Sequence, residues 1–563
     1  MKNKCRRFLA IGLWAAILLA AATGIASASE RSGSLLSGAR NVQSRTLAKT
    51  AAIAPGSLLK IEKTQANVTI SAWDRNEVSA EAKVEVGDAR DEVVKEFLDN
   101  TSLTLEKSAS GLVLRLESPW NWEKGRKANL RWIAEMFRRQ SWKLSYAARI
   151  NIRVPVSLSL DLGNSFGDVD VRGLSGRLTV RNESGQVKIE SAGGSLDLDN
   201  SFGDVRVASF KGSIDVHSES GAVVLENIGG AAVIGNSFKD IRFNKIDGPL
   251  TVTSESAAVI GTGVGGDCLI KSSFQAIDVR NIRGRCEIRG ESLGIKVDQV
   301  EKDAVLDNSF KPLTATNIKG TLRITSESAG VTVADIGGWA DITGSFQDIR
   351  AERIHGWAKV QGESCSVTLR DIDGDATVAS TFKAVDIANV GGALEVRSES
   401  APVTVVGVKK SAAVVTSFSS VNVRNVGGGL KVQGESTSVL AEDIGGPVDV
   451  KNSFKDVILR KTGGFITVVG ESGGVDISQL KTLAAGSIID VKTTFKPISL
   501  TLPAGTEIQG TARTEYGKII TDFPVYLLDN REGDGQAIEF RTGKGGITVK
   551  LETTAGITIK KSL

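Results

Sequence analysis

A phenylalanine returns every 36 residues, without one insertion, from Phe166 through Phe202, Phe238, Phe274, Phe310, Phe346, Phe382 and Phe418 to Phe454. Offset from it runs an equally regular glutamate series: Glu183, Glu219, Glu255, Glu291, Glu327, Glu363, Glu399, Glu435 and Glu471. A fixed period over this length is the signature of a repeat architecture in which each unit buries its apolar face only against its neighbours.

The 36-residue unit divides into two coils of 18. Stepping by 18 from Val169 to Val475 meets an aliphatic residue at all 18 positions, and stepping from Val180 to Val468 does so at all 17. Each coil therefore offers two short strands about nine residues apart, and stacked coils would form parallel, in-register sheets around a dry core. From Gly176 to Gly464, glycine fills 15 of 17 positions, broken only by Lys302 and Lys410. Such a row marks one corner and is expected where a turn needs positive φ. The opposite corner, from Asn182 to Gly470, holds only Asn, Ser, Gly or Thr.

The fold expected is all-β, a single elongated β-solenoid of about eighteen coils with irregular β caps. At an inter-strand spacing of about 4.8 Å such a stack is roughly 85 Å long. Right-handed crossovers are the default for parallel strands, although left-handed triangular helices also use 18-residue coils. In coils leading to Phe238 through Phe454, the preceding strand begins with a small residue such as Ala232, Ala304 or Ala376; in the alternate coils it mostly begins with Leu or Ile. Close-packed interiors show such compensation when two side chains share one volume. The phenylalanine row is therefore expected to point inward, each ring worth roughly 3–5 kcal/mol on truncation. Cys268 and Cys286 fall at one inward position on adjacent coils and are expected to be buried free thiols.

Before the repeat, residues 1–28 read as a signal peptide. Lys2, Lys4, Arg6 and Arg7 precede the apolar run Phe8–Ala22 and the small-residue site Ala26-Ser27-Ala28. Export to the periplasm or the cell surface is the expectation. The signal holds four of the 69 basic residues and none of the 65 acidic ones, so its removal leaves 65 of each. Nucleic acid then has no electrostatic footprint to bind. Residues 29–53 read as a flexible leader and 54–164 as an N-terminal β-rich cap. Alternating segments at 58–62, 67–71, 78–86 and 112–116 mark its strands, and Asp91–Leu98 a short helix. Within the cap, residues 120–143 hold four of the eight tryptophans and seven basic residues. Helical spacing there makes an amphipathic segment, either a covering for the end of the stack or a surface or membrane contact through Trp120, Trp122, Arg131, Trp132, Arg138, Arg139 and Trp142. Residues 489–563 lose the 18-residue phase and read as a C-terminal β cap after the solenoid of 165–488.

Catalytic chemistry finds little material. With only His217 and His355, neither a Ser-His-Asp triad nor a histidine-based metal site assembles readily. Gly261-Thr262-Gly263-Val264-Gly265-Gly266 matches a nucleotide fingerprint in spacing but has no helix to follow it. Gly362-Glu363-Ser364-Cys365-Ser366 is one copy of a unit present nine times. No cofactor or metal is expected. The glutamate row, about 9.6 Å between carboxylates, is the candidate for ligand contact; its bland alternative is pairing with corner amides or with Lys239, Lys311, Lys383 and Lys455.

From Arg153-Val154-Pro155 through Gly167-Asp168-Val169 and the coils to Gly556-Ile557-Thr558-Ile559, the chain resembles the bacterial adhesin-like family of β-strand-repeat, toast-rack-type proteins. The resemblance spans most of the chain, on low-information motifs of alternating valine with glycine corners. It implies a non-enzymatic envelope or surface protein and supplies no catalytic residues. The basic tryptophan segment and the strict 36-residue beat depart from that pattern. An exported, non-catalytic solenoid acting as an adhesin-like binding body or envelope scaffold is the function expected, its partner a surface glycan, an envelope protein or a membrane surface. The alternatives are a polymerising scaffold or stress-response component and a β-helical polysaccharide-acting enzyme. Such an enzyme would grow long loops from one face, whereas these coils have no insertions.

Overall fold

The computed structural model describes residues 34–119, 144–463, 465–529 and 535–562. Residues 1–28, expected to be a signal peptide, and the tryptophan-rich segment 120–143, with all seven of its candidate contact residues, lie outside the described residues.

The chain is an all-β solenoid of parallel stacked coils. One sheet stacks strands such as Leu178–Ser184, Ser195–Asn200 and Ser213–Ser218, with Leu178 opposite Leu196 and Val180 opposite Leu198. The second stacks Val187–Glu190, Val205–Phe210 and Val223–Ile228, with Val187 opposite Val205 and Ile189 opposite Val207. Both aliphatic ladders are buried along their whole length. Identical registers recur because a one-residue slip would turn every valine into water.

Between the end of the second sheet and the glycine corner, the backbone does something the glycine row does not reveal. From Gly173 to Gln479 in steps of 18, all 18 residues have positive φ, and eight of them are Asn or Asp. Asn and Asp tolerate the left-handed region better than other side-chain-bearing residues. The kink turns the next residue inward and builds a third buried row that includes Phe210, Ile228, Ile246 and Ile282.

The expected role of the glycine corner is therefore corrected. Among the described residues of that row, only Gly194 has positive φ. Glycine is selected instead because consecutive coils nearly touch there. A Cβ on Gly212 would lie 1.7 Å from the carbonyl oxygen of Gly194.

The opposite corner is held by buried polar side chains. Asn164 Nδ2 donates to Asn182 Oδ1 and Asn182 Nδ2 to Asn200 Oδ1, each at 3.0 Å. Asn182 Nδ2 also donates to the Gly185 carbonyl at 3.1 Å. A buried amide ladder is stable only when each member is satisfied. Asn182→Ala removes these bonds and strands its neighbours' groups; a loss of about 2 kcal/mol is expected by urea denaturation.

The stack reaches beyond its expected bounds at both ends. Strands Leu58–Thr64 and Asn67–Trp73 form a complete coil, pairing Ile61 with Leu162 and Val68 with Val169, so part of the expected N-terminal cap is solenoid. At the other end, Ile466 pairs with Ile489, five residues beyond the 18-residue step. Coils then follow out of chain order: 488–502 lies against 547–561, which lies against 508–521. The antiparallel strands Gln536–Arg541 and Val525–Asp529 close this end, which covers an otherwise open row of backbone donors and acceptors.

Among the described residues, 34–49, 80–104, 116–119 and 144–151 belong to a separate compact unit. Residues 43–52, expected within a flexible leader, form strand Gln43–Ala52. The helix Asp91–Asp99 buries Val94, Phe97 and Leu98, with Phe97 5.7 Å from Tyr146.

Candidate functional site

The phenylalanine row faces water. From Phe166 to Phe454 all nine rings are exposed, between 52% at Phe454 and 67% at Phe202. This overturns the inward placement. The small residue thought to share a volume with each ring from Phe238 to Phe454 sits at the far end of the strand; Ala232–Asn236 separates Ala232 from Phe238, a span of roughly 13 Å. The Ala-for-Leu alternation has no explanation in the structure.

Two further aromatic residues join the row in space. Val468 pairs with Val491, which places Phe495 on the rung after Ser472, at the same corner position. Tyr516 lies beside Ala555 two rungs on, its amide donating to the Thr554 carbonyl at 3.1 Å. They are 73% and 75% exposed. The order along the edge is thus Phe454, Ser472, Phe495, Ala555, Tyr516. The aromatic-small alternation survives a phase shift and a scrambling of chain order.

Every second rung carries a serine in the aromatic position and a glutamate one residue before it. All nine glutamates are exposed. Glu183 pairs with Lys63 at 2.6 Å. Among the described residues, the other eight carboxylates make no ion pair or side-chain hydrogen bond, so the expected pairing with Lys239, Lys311, Lys383 and Lys455 is not formed. Lys311 and Lys383 instead donate to the carbonyls of Phe274 and Phe346, at 2.6 and 3.2 Å.

Those two carbonyls mark a doubled beat. Phe274, Phe346 and Phe418, every fourth rung, hold φ of +70°, +65° and +54°. Their amides donate to the backbone carbonyls of Glu291, Glu363 and Glu435 on the next rung. Phe238, Phe310, Phe382 and Phe454, on the rungs between, are each followed by lysine. Lysine at every second phenylalanine carries this 72-residue period in the sequence, as does the residue before the glutamate, where Gly290, Gly362 and Gly434 alternate with Ser254, Ser326 and Ser398. A bulky aromatic residue in the left-handed region costs of order 1–3 kcal/mol, and here no burial of the ring offsets it.

The other charged corner behaves differently. Near the positive-φ row, Arg353 binds Asp335 at 2.7 Å and Lys319 binds Glu301 at 2.6 Å. The Arg353 guanidinium holds the Asp335 carboxyl below its usual range. Charges there satisfy one another, while among the described residues eight of the nine carboxylates beside the phenylalanines are left to solvent. His217 and His355 are exposed, His355 Nδ1 lying 2.7 Å from Asp373 Oδ2. Gly261 and Gly263 lie within strand Val259–Val264. Cys268 and Cys286 are register partners, buried and free. A hydrogen bond that its protonated thiol donates to Cys268, together with burial, pushes the Cys286 thiol well up. Cys365 is also buried and free. Among the described residues no cluster of His, Cys, Asp and Glu fits a metal ion, and no helix is long and apolar enough to cross a membrane.

What the arrangement offers chemically is one apolar, regularly toothed edge flanked by unpaired carboxylates. No family model, curated protein or solved structure matches the chain.

Proposed function

We propose that the protein is an exported, non-catalytic binding solenoid, adhesin-like or scaffolding in role, whose contact surface is the aromatic and acidic edge. The observation that carries this reading is the line of eleven exposed aromatic residues on alternate rungs, kept in place where the chain order changes. Monomeric proteins seldom leave so long an apolar strip in water, and such strips mark contact surfaces. Strained φ at Phe274, Phe346 and Phe418 supports the same reading, because strain without packing gain collects at functional positions. The partner fitted by such an edge is extended and repetitive, as a surface glycan or an envelope protein array is.

Purified full chain would be titrated onto whole cells, glycan surfaces and envelope fractions. Specific retention that falls when Phe310, Phe346 and Phe382 are together changed to serine is the expected result. Equal retention by that variant, or none by either protein, overturns the assignment of the edge.

A further inference from the structure

We infer that the occupant of this edge is a second copy of the same chain, laid parallel to the first and displaced by one rung, with the aromatic side chains of each entering the gaps over the small residues of the other. The inference rests on the reading of the edge as a contact surface and names what covers it.

Commensurability comes first. Aromatic side chains recur every two rungs, roughly 9.6 Å apart, and the floor of each gap is a small residue, as Ser292 is between Phe274 and Phe310. Such a gap, once the flanking rings have taken their thickness, has room for about one more ring. A polymer with a different repeat would drift out of step along eleven teeth. A second copy stays in step by construction, and interdigitated identical side chains are how paired sheets form dry zippers.

The side chains agree. Ten of the eleven are phenylalanine, which lacks the polar handle that makes Tyr and Trp suited to half-wet contacts. Each is more than half exposed, so full coverage on both copies would remove on the order of 2,000 Å² from water, ample for a stable dimer.

Charge selects the orientation. The chain crosses the edge from the glutamate flank to the lysine flank: Glu327 precedes Ser328, and Lys311 follows Phe310. A two-fold rotation about the stacking direction brings the two edges face to face and reverses that crossing. Lys239, Lys311, Lys383 and Lys455 of one copy then lie on the flank of the other's glutamates, four lysines against nine carboxylates, and a slide of one rung places phenylalanine rungs opposite serine rungs. An antiparallel pairing would instead put glutamate flank against glutamate flank. Complementary flanks of this kind fix register and partner choice.

The test is sedimentation velocity of the full chain over a concentration series. A reversible dimer is expected, with Phe310→Ser, Phe346→Ser and Phe382→Ser together weakening it at least about tenfold in Kd while the thermal midpoint is kept. Serine already occupies the same position on alternate rungs, so the variant is a conservative one for the fold. Lys311→Glu with Lys383→Glu is expected to weaken the dimer most at low salt. Dyes on an introduced Lys560→Cys in both copies report orientation, since only a parallel pair brings like ends together and transfers energy. A chain monomeric at every concentration, a dimer indifferent to the serine variant, or a dimer without transfer overturns the inference. If the monomeric chain still binds cell or glycan surfaces through these phenylalanines, the edge remains a contact surface and only its occupant was misassigned.

Discussion

Gly212→Ala is expected to destabilise the solenoid by about 3 kcal/mol or more, whereas Gly193→Ala, on the preceding coil, is expected to be neutral or stabilising by about 0.5 kcal/mol. The contrast follows from what each added methyl would meet. At Gly212 the new Cβ would sit 1.7 Å from the Gly194 carbonyl oxygen, the tightest approach in the described glycine row. That oxygen belongs to the neighbouring coil's backbone, so relief requires two coils to part and the registers on both sheets to loosen. At Gly193 the nearest atom is Lys211 Cβ at 3.6 Å, an ordinary contact, and φ is not positive. There the methyl only restricts the unfolded chain. Urea denaturation measures both changes. Hydrogen exchange should localise the Gly212 defect to the coils around residues 194–230, since each coil of a repeat stack depends on its nearest neighbours. Equal effects at the two positions would show that inter-coil approach is not what selects glycine.

Much of the architecture was legible because its rule is strict. Val187 and Val205 face the same core in register, and a single polar residue there would be costly, so the aliphatic ladders stand out at 18-residue spacing. Corners obey no such rule. Continuing the strand's alternation past Leu196, Leu198 and Asn200 would point Phe202 inward, but the turn after Asn200 rotates the backbone and puts the ring outside. The Ala232–Leu250 alternation suggested shared volume, yet that argument needs proximity, and a whole strand intervenes. Likewise, a row of glycines does not distinguish positive φ from close backbone approach. The positive-φ row from Gly173 to Gln479 hid because Ser, Asn, Asp, Lys, Gln and Arg share it with glycine. Phe495 and Tyr516 were invisible as members of the edge, since only the pairing of Val468 with Val491 and of Thr514 with Thr553 brings them into line. The unpaired state of eight glutamates also depends on where lysine side chains go, and Lys311 and Lys383 go to carbonyls.

Leu306→Ser and Phe310→Ser, four residues apart on one coil, are expected to differ by about 4 kcal/mol in stability. Leu306 lies in strand Ala304–Asn308 and is fully buried in the Val180-phase ladder. Serine there empties the volume of a leucine between the equivalent residues of the coils on either side, Ile288 and Ile324, and buries a hydroxyl with no designed partner. Cavity and desolvation act together, so a cost of about 4 kcal/mol is reasonable. Phe310 is 60% exposed, and serine is the residue found at its position on both adjacent rungs, Ser292 and Ser328. Removing the ring uncovers little that was buried, and the change should fall within about 0.5 kcal/mol. Chemical denaturation with far-ultraviolet dichroism reads both. The comparison separates structure from function at one coil: the residue whose loss unfolds the chain contributes nothing to the surface, and the residue whose loss leaves the fold intact removes a tooth from the edge. If Phe310→Ser cost as much as Leu306→Ser, the phenylalanine row would be core after all, and neither the contact edge nor the zipper built on it would stand.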